Sequence, residues 1–162
     1  MHELFRALSL AALVITAGSA FSQTIPYGAP IGLEVAKSVA QAASNEMRKK
    51  KLEMTIAIVD SGGNLIYLER SNQAGLGTIE PAIGKAKAAN GIKAPTKLIE
   101  DLIVKQHVVN LIAVPGAFPV EGGVPIIVNN QVIGAIGASG GMPADDGAVA
   151  NAGAKKIGRA HV

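Results

Sequence analysis

The stretch Val120–Gly141, VEGGVPIIVNNQVIGAIGASGG, constrains the fold more than any other part of the chain. Its β-branched residues read as two strands, Val124–Val128 and Val132–Ala138, turned around Asn129–Gln131. Asparagine tolerates the positive φ that a tight hairpin turn requires. Yet Gly134 and Gly137 fall inside the second strand, and Gly122, Gly123, Gly140 and Gly141 stand at strand ends. Glycine within a strand weakens it, and marks a bulge or a close approach by another backbone or a ligand. Gly134 and Gly137 are an odd number of residues apart, so they lie on opposite faces and read as packing positions. The outer glycines flank strand ends, where exposed amides and positive φ are available, and read as the rim of a ligand site.

The rest of the chain supplies one more hairpin and the helices. Val35, Val39, Ala43 and Met47 recur at helical spacing between Ile31 and Met47. Glu53–Asp60 and Leu65–Arg70 read as strands joined by the turn Ser61–Asn64. Thr78–Asn90 is expected to be a helix with Ile79, Ala82, Ile83 and Ala86 inward, Pro81 being tolerated in its first turn. A Thr96 cap opens a further helix expected to run to Ile112, followed by the irregular connection AVPGAFPVEGG. The last helix, PADDGAVANAGAKKI, carries Asp145 and Asp146 near its start. Hairpins imply an antiparallel sheet, so the fold class is α+β, in a single domain.

Composition narrows the function classes. At 162 residues, 49% apolar and 17% charged, the chain suits one domain with a true core. Aromatics are 3% with no Trp, which leaves few stacking platforms for nucleic acid. The net charge is only +3, and the run Arg48–Lys51 (RKKK) ends a helix, where cations suit the dipole. Nucleic-acid binding is therefore not expected. Arg6, the apolar run Ala7–Ala17 and the small residues after it form a secretory signal, cleaved after Ala20 or Ser22. Residues 1–22 are thus the expected signal peptide and 23–162 the domain, periplasmic or secreted, with no membrane span after processing. The absence of cysteine excludes disulfides, thiolate metal sites and a cysteine nucleophile. An unstapled exported domain relies on its core or on self-assembly.

No familiar nucleotide loop is present, because GAIGASGG lacks the G-x-G-x-x-G spacing and a surrounding βαβ unit. Ser139, Gly140 and Gly141 end a strand before a helix start, where amides can hold an anion; the alternative is a turn with close helix packing. Protein-ligated metal is not expected, since His107 and His161 are the histidines left after signal removal and neither has an i, i+4 partner of ligand type. His107, beside Ile103 and Leu111, reads as a structural histidine or, in the alternative, a haem ligand. No serine sits in a nucleophile elbow. Asp60 and Arg70 end the first two strands, Glu121 precedes GGVP, and Lys85 lies on a helix flank. Arg70 could clamp a carboxylate and Lys85 add a point charge; a turn bond at Asp60 and surface ion pairs are the alternative, and spacing leaves both open.

The segments IAIVDSGGNLIYLER, AIGKAKAA, EGGVPIIVNNQVIGAIGASGG and DDGAVANAGA, in that order from Gly32 to Ile157, resemble the GlcG/HbpS-like family of haem-binding and haem-degrading-type domains. That family includes secreted haem-binding proteins and the C-terminal domain of some cobalamin adenosyltransferases. The resemblance implies a five-stranded antiparallel sheet flanked by helices, assembly into homo-oligomers, and a link to haem binding, degradation or sensing, in some members with an exported protein partner or sensor kinase. Two positions depart from the family: Ala88 stands where Thr is frequent, and Asn130-Gln131 where Asp-Gly is frequent. The resulting expectation is an exported homo-oligomer that binds haem or a related tetrapyrrole, its propionates meeting Arg70, Lys85 or the amides of 122–123 and 139–141. The rival class is an enzyme on a small organic carboxylate, with Arg70 as clamp and Lys85 or Glu121 as acid and base. A third is a structural partner for another exported protein.

Overall fold

The computed structural model describes residues 25–158, so the expected signal peptide, 1–22, lies outside the described residues. Along the chain run α1 (Leu33–Lys49), β1 (Thr55–Asp60), β2 (Leu65–Arg70), α2 (Ile79–Ile92), α3 (Lys97–Gln106), β3 (Gly123–Val128), β4 (Gln131–Ser139) and α4 (Pro143–Gly158). The sheet order is β2-β1-β4-β3, antiparallel at every pairing, with β2 and β3 at its edges. None of the described helices is long and apolar enough to cross a membrane.

The α+β class stands, but the strand count is corrected: four strands occur among the described residues, not five. Beyond the Asp60–Gly134 pair, β1 no longer covers β4. There Tyr27 makes a single parallel bridge to Val132. Val132 N–H donates to the Pro26 carbonyl and Gly28 N–H to the Val132 carbonyl, both at 2.9 Å. Pro26 and Pro30 flank this contact, and proline has no N–H to continue a ladder, so pairing stops at one bridge.

Local chemistry explains the turns. Asn129 and Asn130 take φ of 49° and 57°, the two positive values of a type I′ hairpin. Asp60 closes the other hairpin: its N–H donates to the Asn64 carbonyl at 2.9 Å, and its Oδ1 accepts the Asn64 N–H at 2.8 Å. The helix expected over 96–112 ends early, at Gln106. His107 turns left-handed at φ 57°, and Val108 N–H reaches back to the Leu102 carbonyl at 3.0 Å, so the helix closes on a left-handed residue. Val109–Ala113 then form a short 3-10 turn. The β-branched pair Val108-Val109 weakens helix continuation there.

Successive residues of each strand serve two different layers. Ile56, Ile58, Ile126 and Ile136 join Val39 and Ala43 of α1 and Val149 and Ala150 of α4 in the main core. Val59 and Ala135 face Ala86 and Ala89 of α2. Within α1, Val35 of the apolar series is exposed and its neighbour Ala36 is buried; within α2, Ile79 and Ile83 are half-buried, while Ala82, Lys85 and Ala86 point in.

The strand glycines follow from this layering. A Cβ on Gly137 would overlap the Ala82 carbonyl and stand 2.7 Å from Ala86 N, so α2 rests backbone to backbone on β4. Gly134 faces the opposite layer, where a Cβ would lie 2.9 Å from Ile31 Cγ2. Gly137→Val is expected to cost at least about 1–3 kcal/mol by overpacking. Gly91→Ala in the same helix meets open space and should hold or raise stability. Urea unfolding of the two variants checks this, and equal midpoints would refute the close seating of α2.

Candidate functional site

The end of the sheet where Thr55 pairs with Ser139 gathers most of the expected site residues. Lys85, read from sequence as a flank residue, is only 2% exposed. Its Nζ donates to Asp146 Oδ2 at 2.6 Å and to the Ala138 carbonyl at 3.2 Å. Gly122 closes over this pair at φ 130°; a Cβ there would stand 2.9 Å from Lys85 Nζ and 2.8 Å from Asp146 Cβ. Asp146 Oδ1 accepts the Gly141 N–H at 2.8 Å. Burial pushes the Asp146 carboxyl above its ordinary value, opposed by the Lys85 ammonium and the amides of Gly141 and Gly140. The glycine-rich strand end thus does hold an anion with its amides, and that anion is a carboxylate of the same chain.

Around this pair the loop before β3 is tied down by Thr96. Its Oγ1 donates to the Val120 carbonyl at 2.8 Å and accepts the Gly123 N–H at 2.9 Å, while its own N–H donates to the Gly123 carbonyl at 3.0 Å. Thr96 makes no side-chain cap bond to α3, contrary to the sequence expectation. A Cβ on Gly123 would overlap the Lys85 carbonyl. Gly140, at φ 145°, is exposed, yet a Cβ there would stand 2.6 Å from the Glu53 carbonyl oxygen. Glu121 N–H donates to Glu100 Oε2 at 2.5 Å, and its carboxylate lies against Gly147 of α4. Burial raises the Glu121 carboxyl above its ordinary value; Lys97 opposes this, and Glu100, Asp101 and Asp146 add to it.

Lys85, Glu121, Gly122, Gly123, Ser139, Gly140 and Gly141 therefore come together, with the spaces beside Gly122, Gly123 and Gly140 filled by protein. Asp60 stands apart, at the far end of β1 in its turn with Asn64. Arg70 donates from Nη1 to the Ala74 carbonyl at 2.6 Å and lines a polar cleft that includes neither Lys85 nor Glu121. His107 is exposed at the end of α3, not on an apolar helix face. The clamp and acid–base set of the enzyme reading is thus not assembled in one place. Sequence reasoning missed Asp146 and Thr96; the acidic pair in the first turn after SGG was the available signal for the former.

It also missed an apolar cleft of about 510 Å³ between α2, α3 and the 109–117 segment, lined by Ala88, Ile92, Leu98, Ile99, Leu102 and Leu111, among others, with Lys87 beside them. These residues are scattered over two helices and a connection read as irregular, so no local period exposes them.

A family model described as haem degrading protein HbpS-like matches residues 31–155. The chain is 30% identical over 106 residues to protein GlcG of Escherichia coli strain K12, spanning 65% of this chain and 78% of GlcG. A crystal structure of HbpS superposes with a TM-score of 0.73 at 29% identity, covering 79% of this chain and 90% of that one. A crystal structure of a PduOC–haem complex superposes with a TM-score of 0.71 at 21% identity, covering 79% and 95%, a likeness of fold.

Two outcomes follow from the buried charges. Asp146→Ala strands the Lys85 ammonium and should cost about 3–5 kcal/mol, whereas Lys85→Met with Asp146→Leu should recover most of that loss. If denaturant unfolding shows the single variant as stable as the parent, the pair does not have this role. Glu121 binds protons more tightly folded than unfolded, so stability falls as pH rises through the window above its ordinary 4.5. Glu121→Gln removes that slope, and its stability advantage over the parent should grow with pH across this window. A constant difference from pH 4 to 8 in thermal unfolding would contradict the assignment.

Proposed function

The chain belongs to the HbpS-like family, and on that premise we propose that it binds haem or a related tetrapyrrole as an exported, self-assembling protein. The observation that carries this reading is the apolar cleft beside α2 and α3. Its volume of about 510 Å³ falls within the roughly 300–1,000 Å³ of small-molecule sites. Ile92, Leu98, Ile99 and Leu102 match the apolar body of a tetrapyrrole, and Lys87 is the cation among the lining residues that suits a propionate. Lys85 does not serve that purpose, because Asp146 already neutralises it. Ala88, the position where the family frequently carries threonine, belongs to this lining and presents a methyl group. PduOC, which shares the fold, is seen in complex with haem.

The described lining offers no imidazole, thioether or phenol, and His107 is not part of it. These residues fit the macrocycle and its carboxylates: they hold by burial and charge. A bound haem would supply iron redox chemistry, while the chain buries the ring and pairs its acids. Leu98 of the lining, Val104 of α3, and Val109 and Ile112 of the following turn are 51–65% exposed. Apolar surface of that extent supports coverage by a second copy. The signal expected at 1–22 supports export.

Haemin titration should give a saturable Soret shift. Leu102→Glu should abolish it, and Lys87→Glu should weaken affinity about tenfold, the equivalent of one charged contact. No Soret change in the parent, with stabilisation by a small organic acid alone, would instead favour the carboxylate enzyme. Intact mass of periplasmic material should start near Phe21 or Gln23, and light scattering at micromolar concentration should show more than a monomer. Retention of Met1–Ala20, or a monomer throughout, would overturn those two parts.

A further inference from the structure

We propose a second, separate site on this chain: the polar cleft at the end of α1 and β2 receives a compact dianion bearing carboxylate or phosphate oxygens. The cleft, of about 630 Å³, brings Arg48 and Lys51 from the RKKK run together with Arg70 and the donors of Asn72 and Gln73. It shares no lining residue with the apolar cleft, so the two sites stand or fall independently.

The cations of this cleft are not neutralised by ion pairs among the described residues. In the same run, Lys49 pairs with Glu46 and Lys50 with Asp145. Arg48, Lys51 and Arg70 have no ion pair among the described residues. Arg48 Nη2 donates to Asn45 Oδ1 and Arg70 Nη1 to the Ala74 carbonyl, both at 2.6 Å. Each bond steadies a guanidinium while leaving its other N–H groups free for a bidentate partner. Of the two carboxylates in the lining, Glu69 already accepts from Ser44 Oγ at 2.5 Å and Tyr67 OH at 3.1 Å, and Glu53 is the other. Three cations against two carboxylates leave the cleft net positive.

A helix C-terminus ordinarily repels anions. Here the closing carbonyls of α1 are engaged: Lys50, Lys51 and Leu52 N–H groups donate to Glu46, Arg48 and Met47 at 3.0–3.1 Å. Lys51 itself lies past the helix at φ 56°, so the helix end does not account for its charge. A single carboxylate would satisfy one guanidinium. A dianion suits two arginines and a lysine set around one hollow.

The test is calorimetric titration of the purified protein at low ionic strength with inorganic phosphate and, separately, with succinate. Saturable one-site binding of at least one is expected, and the anion that binds identifies phosphate or dicarboxylate as the source. Arg48→Ala, and Arg70→Lys, which keeps the charge but loses the fork, should each weaken binding about tenfold. The haemin titration should be unchanged in Arg48→Ala. Arg48 is exposed, so thermal unfolding of its variant should match the parent and separate lost binding from lost fold. Absence of saturable heat with both anions at millimolar concentration overturns the proposal. So does undiminished binding in both variants.

Discussion

The sheet end that holds Lys85 and Asp146 depends on how closely α2 lies upon the sheet. Gly123 and Gly137 lack the side chains that would hold the helix off: Ala82 and Ala86 meet Gly137 with almost no bulk of their own, and the Lys85 carbonyl sits against Gly123. At that distance, the Lys85 ammonium reaches the Ala138 carbonyl near the end of β4 and Asp146 of α4. The ion pair therefore links the helical layers on the two sides of the sheet. Leaving glycine in strands sacrifices some strand propensity; the packing gained and the buried charge seated by Gly122 offset it.

The two hairpins, the antiparallel class and the packing role of Gly134 and Gly137 were legible in the sequence, because alternation and turn chemistry are local. The helix containing His107 was overextended: a left-handed closure involves one residue's backbone and leaves the apolar pattern undisturbed. Lys85 was misplaced for a different reason. Charge predicts exposure unless a partner is known, and Asp146 lies 61 residues away in sequence. Thr96 looked like a helix cap because Ser and Thr at such positions ordinarily bond the helix, yet its hydroxyl is taken by the loop before β3. The resemblance added the family and overstated the strand number, the shortfall lying at a segment bracketed by prolines.

Positions 85 and 87 show how finely helical geometry divides labour. Lys85 points under α2 and is neutralised in the core, whereas Lys87, two positions on, lines the apolar cleft and is exposed. The polar cleft draws its cations from elements on the other side, α1 and β2. An oily hollow with one cation and a wet hollow with three thus occupy different parts of a small domain.

The edges of the sheet also limit how copies of the chain can join. Pro125 sits mid-way along β3, one of the two edge strands among the described residues. A proline tolerated in a sheet turns its donor-less nitrogen outward, so a strand arriving from outside finds a gap in the row it would pair with. The opposite edge, β2, ends in Glu69 and Arg70, charges that discourage the same approach. Among the described residues, strand addition is thus disfavoured at both margins, and the surfaces left open to another chain are the helical faces rather than the ends of the hydrogen-bond ladder.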